Sequence, residues 1–279
     1  MNRRWLWGVT GMAAGIVAVL ATWWYLRQPA GALIYGQALA VLGRGTSLAR
    51  TYRSAHGETL RYRLLLPAYH SGQSVKRYPL VISLHGMGCD GTDNVKQLIC
   101  IVPTLQTTDF RQQFPCFVLA PQCPPNMTWV DTRSYVGSAV RHAPHPTLAI
   151  RLLLELIPRI LRAYPIDARR IYVIGYSSGA TGTWDLLARR PELFAAAAAI
   201  CGRCDPSTAR VLSHVPLWVF HGATDPMVDC DIARRMVRAL RAAGGHPAYT
   251  EYSDADHDQT GARALRDPAL FPWLFAQHR

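Results

Sequence analysis

The chain has 279 residues, 49% of them hydrophobic and 17% charged, with a formal net charge of +12. This composition excludes a disordered or low-complexity chain and fits a packed globular domain. The positive charge is almost all arginine, since Lys76 and Lys96 are the only lysines. The arginines are scattered (Arg53, Arg111, Arg169, Arg189, Arg234) rather than clustered among aromatics, so no nucleic-acid partner is expected.

Residues 5–26 carry no charge and, as a helix, would span about 33 Å, enough for a bilayer core. Trp5 and Trp7 lie at one end and Trp23, Trp24 and Tyr25 at the other, as in interfacial belts. Arg3 and Arg4 precede the run, which by the positive-inside rule keeps the N-terminus in the cytoplasm and sends the rest across. The expectation is a signal-anchor over residues 1–28 with the domain that follows extracytoplasmic, and a cleaved signal peptide is the alternative. Residues 29–50 are rich in small residues and read as a linker, leaving residues 51–279 for one domain.

Within that domain short apolar runs alternate with helix-like segments. Arg61–Leu66, Leu80–Leu84 and Phe117–Ala120 read as strands. Thr147–Ala163 has helical periodicity, with Pro158 expected to kink or weaken it. The strand Ile171–Ile174 runs into a glycine, and the helix Ser178–Arg190 follows. Ala195–Ile200, Leu217–Phe220 and Ala248–Tyr252 are further strands. Asp231–Ala243 is an amphipathic helix closed by Gly244-Gly245, and Pro268–Gln277 is a last helix. Such alternation predicts an α/β fold, a mostly parallel sheet with helices on both faces and its site at the C-terminal strand ends.

Gly175-Tyr176-Ser177-Ser178-Gly179 matches G-x-S-x-G between a strand and a helix, the context a nucleophile turn requires. A serine hydroxyl needs a base to take its proton and an acid to orient that base. Asp225 follows the strand Leu217–Phe220 and His257 follows the strand Ala248–Tyr252, in the order Ser, Asp, His. Asp229 shares the loop of Asp225 and His221 ends the preceding strand, so both are rivals. Asp254, Asp256 and Asp258 read as solvated loop charges. His85-Gly86-Met87-Gly88 follows Leu80–Leu84, and its backbone can supply one oxyanion donor, at Met87 or a neighbouring glycine. The second donor is the N–H of Ser178. Trp129 and Tyr176 are candidates for the wall of a substrate pocket, and Trp129 reads equally well as core.

The seven cysteines are odd in number, so at least one is unpaired within the chain, and in an oxidising compartment some of the others should pair. Cys201-x-x-Cys204 stands without the second ligand pair that a structural zinc site needs. No metal or organic cofactor is expected for this chemistry.

As a set, these motifs resemble small single-domain α/β-hydrolases: predicted peptidases, phospholipase/carboxylesterases and dienelactone-hydrolase-like esterases. These are related to the catalytic domain of prolyl oligopeptidases, to feruloyl esterases and to polyhydroxybutyrate depolymerases. The matching stretches are Tyr78-Pro79-Leu80-Val81 into His85-Gly86-Met87-Gly88, Ala120-Pro121-Gln122-Cys123-Pro124 with Trp129, and Tyr164-Pro165-Ile166-Asp167 leading to the Ser177 turn. Gly182-Thr183-Trp184-Asp185, Pro191-Glu192-Leu193-Phe194 and Val219-Phe220-His221-Gly222 complete the set. The resemblance implies a triad of Ser177, Asp225 and His257 acting on a carboxylic ester. A short peptide or a polymer ester is an alternative substrate, and a silent binding protein is the non-enzymatic one. Two departures are Ser178-Gly179-Ala180, where the family usually has Met-Gly-Gly, and the Arg- and His-bearing segment Asp131–Pro146.

Overall fold

The computed structural model describes residues 47–68, 76–137 and 139–279. The expected anchor and residues 29–46 of the expected linker lie outside the described residues. Among the described residues no helix is long and apolar enough to cross a membrane.

The strands are β1 Ser47–Arg53, β2 Thr59–Leu65, β3 Tyr78–Leu84, β4 Phe117–Gln122, β5 Tyr135–Val136, β6 Ala139–Val140, β7 Ile166–Tyr176, β8 Ala196–Ile200, β9 Leu217–Gly222 and β10 Ala248–Tyr252. The helices are α1 Ile101–Leu105, α2 Thr108–Gln113, α3 Leu148–Ala163, α4 Ser178–Arg189, α5 Ala209–Leu212, α6 Asp231–Ala242, α7 His257–Arg266 and α8 Leu270–Ala276. One eight-stranded sheet runs β1-β2-β4-β3-β7-β8-β9-β10, and β5-β6 is a separate hairpin. The pairs β1/β2 and β2/β4 are antiparallel, and every pair from β4 to β10 is parallel.

The central strands are continuous apolar runs because both their faces are covered. All seven residues of β3 and all five of β8 are buried. Their side chains alternate between two cores. Leu80, Ile82, Leu84, Ile171 and Val173 point to the face covered by α3, α4, α5 and α6. Val81, Tyr172, Ile174 and Tyr176 point to the face covered by α1, α2, α7 and α8. The edges differ as expected: β1 is exposed or half-buried except at Tyr52, and β10 is half-buried throughout.

Several expectations shift. Residues 47–50, read as linker, belong to β1 and pair with β2. Helix α3 runs unbroken through Pro158. Helices α1, α2, α5 and α7 were not anticipated, nor was the β5-β6 hairpin within the segment Asp131–Pro146. After β3 the chain moves outward to β4, then returns to place β7 on the other side of β3. The strand order therefore reverses between β3 and β7, and a parallel sheet opens a crevice at such a point, beyond the C-terminal strand ends. His85 and Ser177 follow those two ends.

Candidate active site

Ser177 follows β7 with φ 56° and ψ −122°, outside the basins a side chain prefers. Its N–H donates to the Ile200 carbonyl at 2.8 Å, and its carbonyl accepts the Thr181 N–H at 3.1 Å. Close approach imposes the flanking glycines. A Cβ on Gly175 would lie 2.2 Å from the Gly179 carbonyl oxygen, and one on Gly179 would lie 2.0 Å from that of Leu84. Helix α4 can therefore start directly over the ends of β3 and β7. Ser177 does not cap this helix with its side chain, so the first-turn N–H groups, Ser178 among them, are not taken by the serine oxygen.

The loop after β3 passes beside Ser177, since a Cβ on Gly86 would lie 3.6 Å from the Ser177 Cβ. His85 secures this loop from beneath. Its Nδ1 lies 2.7 Å from the Gly86 carbonyl oxygen, and its Nε2 accepts the Cys123 N–H at 3.0 Å. These partners require the neutral ring with the proton on Nδ1, and burial pushes the His85 pKa down to about 4. The side chain of Met87 is 65% exposed.

Asp225 and His257 meet as their order in the chain predicted. Asp225 Oδ2 lies 2.6 Å from His257 Nδ1. Asp225 Oδ1 accepts the N–H groups of Met227 and Val228 at 2.8 and 3.0 Å. Burial opposes the charge on Asp225, but the hydrogen bonds from His221, His257 and these two amides prevail and hold the carboxyl well below the usual carboxylate range. His221 therefore belongs to the acid loop: its Nε2 lies 2.9 Å from the Val228 carbonyl oxygen and 3.4 Å from Asp225 Oδ2. Asp229 accepts the Asp231 N–H at the start of α6.

His257 is the first residue of α7, which is capped by Asp256 and Gln259 in a reciprocal capping box. With Nδ1 held by Asp225, His257 Nε2 is left buried and without a hydrogen-bond partner. The bond from Ser177 to His257 is thus not made in this structure. Such bonds are often long in the free enzyme and tighten on substrate binding.

The two candidate wall residues do not line an open pocket. Trp129 is 1% exposed, and its indole N–H donates to the His85 carbonyl at 2.9 Å. Its ring packs on His85, with centroids 4.9 Å apart. It supports the His85–Gly88 loop from the core. The Tyr176 ring is buried, and its hydroxyl donates to Asp258 Oδ1 at 2.7 Å. Asp258 and Asp254 are solvent-exposed, as read, but each has a partner: Asp254 pairs with Arg263 at 2.6 Å, and Asp256 between them caps α7. The D-x-x-Q pattern of Asp256 to Gln259 was a legible helix start. The Tyr176–Asp258 contact had no local signal.

Arg203 is a second residue the sequence did not single out. Its guanidinium donates to the carbonyls of Gly137 and Met227, and its N–H donates to Thr181 Oγ1. It thereby ties the β5-β6 hairpin and the Asp225 loop to the first turn of α4.

All seven cysteines are unpaired, so the expected disulfides are not formed. Cys201 and Cys204 bond separately to the carbonyls of His257 and Ile232. Donor atoms of Cys201, Asp225 and His257 converge within 4.8 Å. As a metal-ligand set this trio is a poor fit. Asp225 and His257 are engaged with each other, and burial pushes the Cys201 thiol well up, against the thiolate a metal needs.

The chain matches the family model for phospholipase/carboxylesterase over residues 71–266. A solved thermostable esterase shares 35% identity with a TM-score of 0.75, and the alignment covers 84% of this chain and 64% of that one. This chain thus spans a little under two-thirds of that esterase. A ferulic acid esterase aligns at 16% identity and TM-score 0.60, over 82% of this chain and 98% of that one. The dipeptidyl peptidase 4 of Porphyromonas gingivalis aligns at 14% identity and TM-score 0.61, over 83% of this chain and 35% of that one. The last two likenesses show the fold alone. None of the curated proteins matches the chain. By the family match and by a fold with its reversal point at β3 and β7, the chain belongs to the phospholipase/carboxylesterase family of α/β-hydrolases.

Proposed function

We propose that the protein is a serine hydrolase of carboxylic esters. Ser177 is the nucleophile, His257 the base and Asp225 the acid that orients it. The observation that carries this reading is the 2.6 Å contact between Asp225 and His257 Nδ1, which leaves Nε2 buried and unpartnered on a ring that packs against Tyr176, the residue before Ser177.

His257 Nε2 takes the Ser177 proton as Oγ attacks the ester carbonyl. The carbonyl oxygen becomes an oxyanion held by the N–H groups of Met87 and Ser178, each such donor lowering the barrier by about 3 kcal/mol. His257 then protonates the departing alcohol, and water attacks the acyl-serine with His257 again as base. Asp225 keeps the proton on Nδ1 and stabilises the imidazolium.

The rim of the crevice supports an apolar substrate. Met87, Met127 and Met227 are exposed large apolar side chains on the loops after β3, β4 and β9, and Val136 is exposed on β5 of the hairpin that follows β4. Flexible methionines suit the varied apolar groups of an ester. A short peptide would need partners for its backbone amides. On the charge pattern of residues 1–28 we place this domain outside the membrane, tethered by residues 5–26.

The test compares matched p-nitrophenyl ester and p-nitroanilide substrates of one acyl group. Ester turnover should exceed amide turnover, and Ser177→Ala should abolish both while leaving the circular dichroism spectrum unchanged. An amide preference would shift the reading to a peptidase, and an active Ser177→Ala would end it.

A further inference from the structure

We propose that Tyr176 and Asp258 form a tether that sets the spacing between Ser177 and His257, which makes Tyr176 a positioning residue for acyl transfer. The inference rests on the roles given above to Ser177 and His257. Tyr176 directly precedes Ser177, and Asp258 directly follows His257. The Tyr176 hydroxyl donates to Asp258 Oδ1 at 2.7 Å and lies 3.3 Å from the His257 carbonyl oxygen. One hydrogen bond therefore joins the chain neighbours of the two reacting groups and closes a short ring from nucleophile to base.

Each corner of the ring is held. Tyr176 pairs with Ile200 at the end of β7. Its phenol packs on the His257 imidazole, with centroids 5.2 Å apart. It also lies against Gly261, where a Cβ would come within 2.7 Å of the Tyr176 ring, so α7 can rest on the phenol only because position 261 lacks a side chain. The Asp256 capping box fixes the start of α7. Burial, with the Asp258 carboxylate adding to it, raises the Tyr176 pKa, so the phenol remains a hydrogen-bond donor.

Asp225 and this tether do different things. Asp225 selects the tautomer and aims the ring from Nδ1. The tether fixes how far the first turn of α7 stands from the Ser177 turn. Position matters at this scale, because a misplacement of about 1 Å can lower a rate by about 100-fold.

The test uses full-length Tyr176→Phe, Asp258→Ala and the double variant with p-nitrophenyl acetate, with kcat normalised to sites titrated by a fluorophosphonate. Phenylalanine keeps the ring contacts with His257 and Gly261, so its effect reads the hydroxyl alone. Each single variant should lower kcat about tenfold while KM stays within about twofold. The double variant should fall no further than the singles, because all three lose the same bond. Either single variant with wild-type kcat per titrated site would overturn the tether, even if its thermal midpoint fell. So would a double variant whose loss is the product of the two. Ser177→Ala, run alongside, separates the failures. If it is active, the nucleophile assignment falls. If it is inactive while Tyr176→Phe is fully active, the tether alone falls.

Discussion

His85 joins two loops through one imidazole, and it can do so only while uncharged. Nδ1–H donates to the Gly86 carbonyl and Nε2 accepts from Cys123, so a proton on Nε2 would break the second bond inside the core. Its pKa is lowered from 6.5 to about 4 by burial. Between those values the unfolded chain binds a proton that the folded chain does not. The contribution to stability is therefore complete above pH 6.5 and is lost as pH falls through that window toward 4. Urea unfolding should show a loss of about 1.5 kcal/mol between about pH 6.5 and 5 that His85→Gln does not share. Identical pH slopes for the two proteins would contradict this account. The places of Ser177, Asp225 and His257 beyond strand ends were legible, because each follows an apolar run that forms a strand. The contacts of Trp129 and Tyr176 were not legible, because their partners, the His85 carbonyl and Asp258, are 44 and 82 positions away in the chain. Nothing local announces such a pairing.

Elements with strong apolar periodicity were legible, and elements defined by fit were not. The β8 segment Ala196–Ile200 shows why pattern outweighs propensity. Four consecutive alanines favour a helix in isolation, yet here they form a strand buried on both faces between β7 and β9. Small side chains are what allow α4 and α8 to pack close on either side of this strand. Helix α7 escaped notice for the opposite reason: its buried face is Thr260, Gly261, Ala264 and Leu265, too small and too polar to show as a stripe. Helices α1 and α2 are one or two turns long, below the length at which periodicity can be read. In β7 the register against β3 shifts between Tyr78 and Leu80, which extends the strand back to Ile166, beyond the apolar run that marked it. Pro158 leaves α3 intact because the buried face of that helix, from Ala149 to Ile160, is held by the core on both sides of the proline.

At the scale of the whole molecule, the catalytic domain is a sheet covered on both faces, and its chemistry gathers at one edge, where β3, β7 and β9 end. The proposed anchor adds a location to that domain. If residues 5–26 hold it to a membrane, the full-length chain should sediment with membranes and resist alkaline carbonate extraction. Recovery of the full-length chain in the soluble fraction would contradict the anchor. The central claim is narrower: that Ser177 is the residue which attacks. A fluorophosphonate phosphonylates a serine only where a base and an oxyanion site activate it. The deciding measurement is mass-spectrometric mapping of the adduct on the full-length chain. The account predicts one adduct, on Ser177, and none in Ser177→Ala. An adduct on a different serine, or no adduct on a protein that hydrolyses esters, would contradict it.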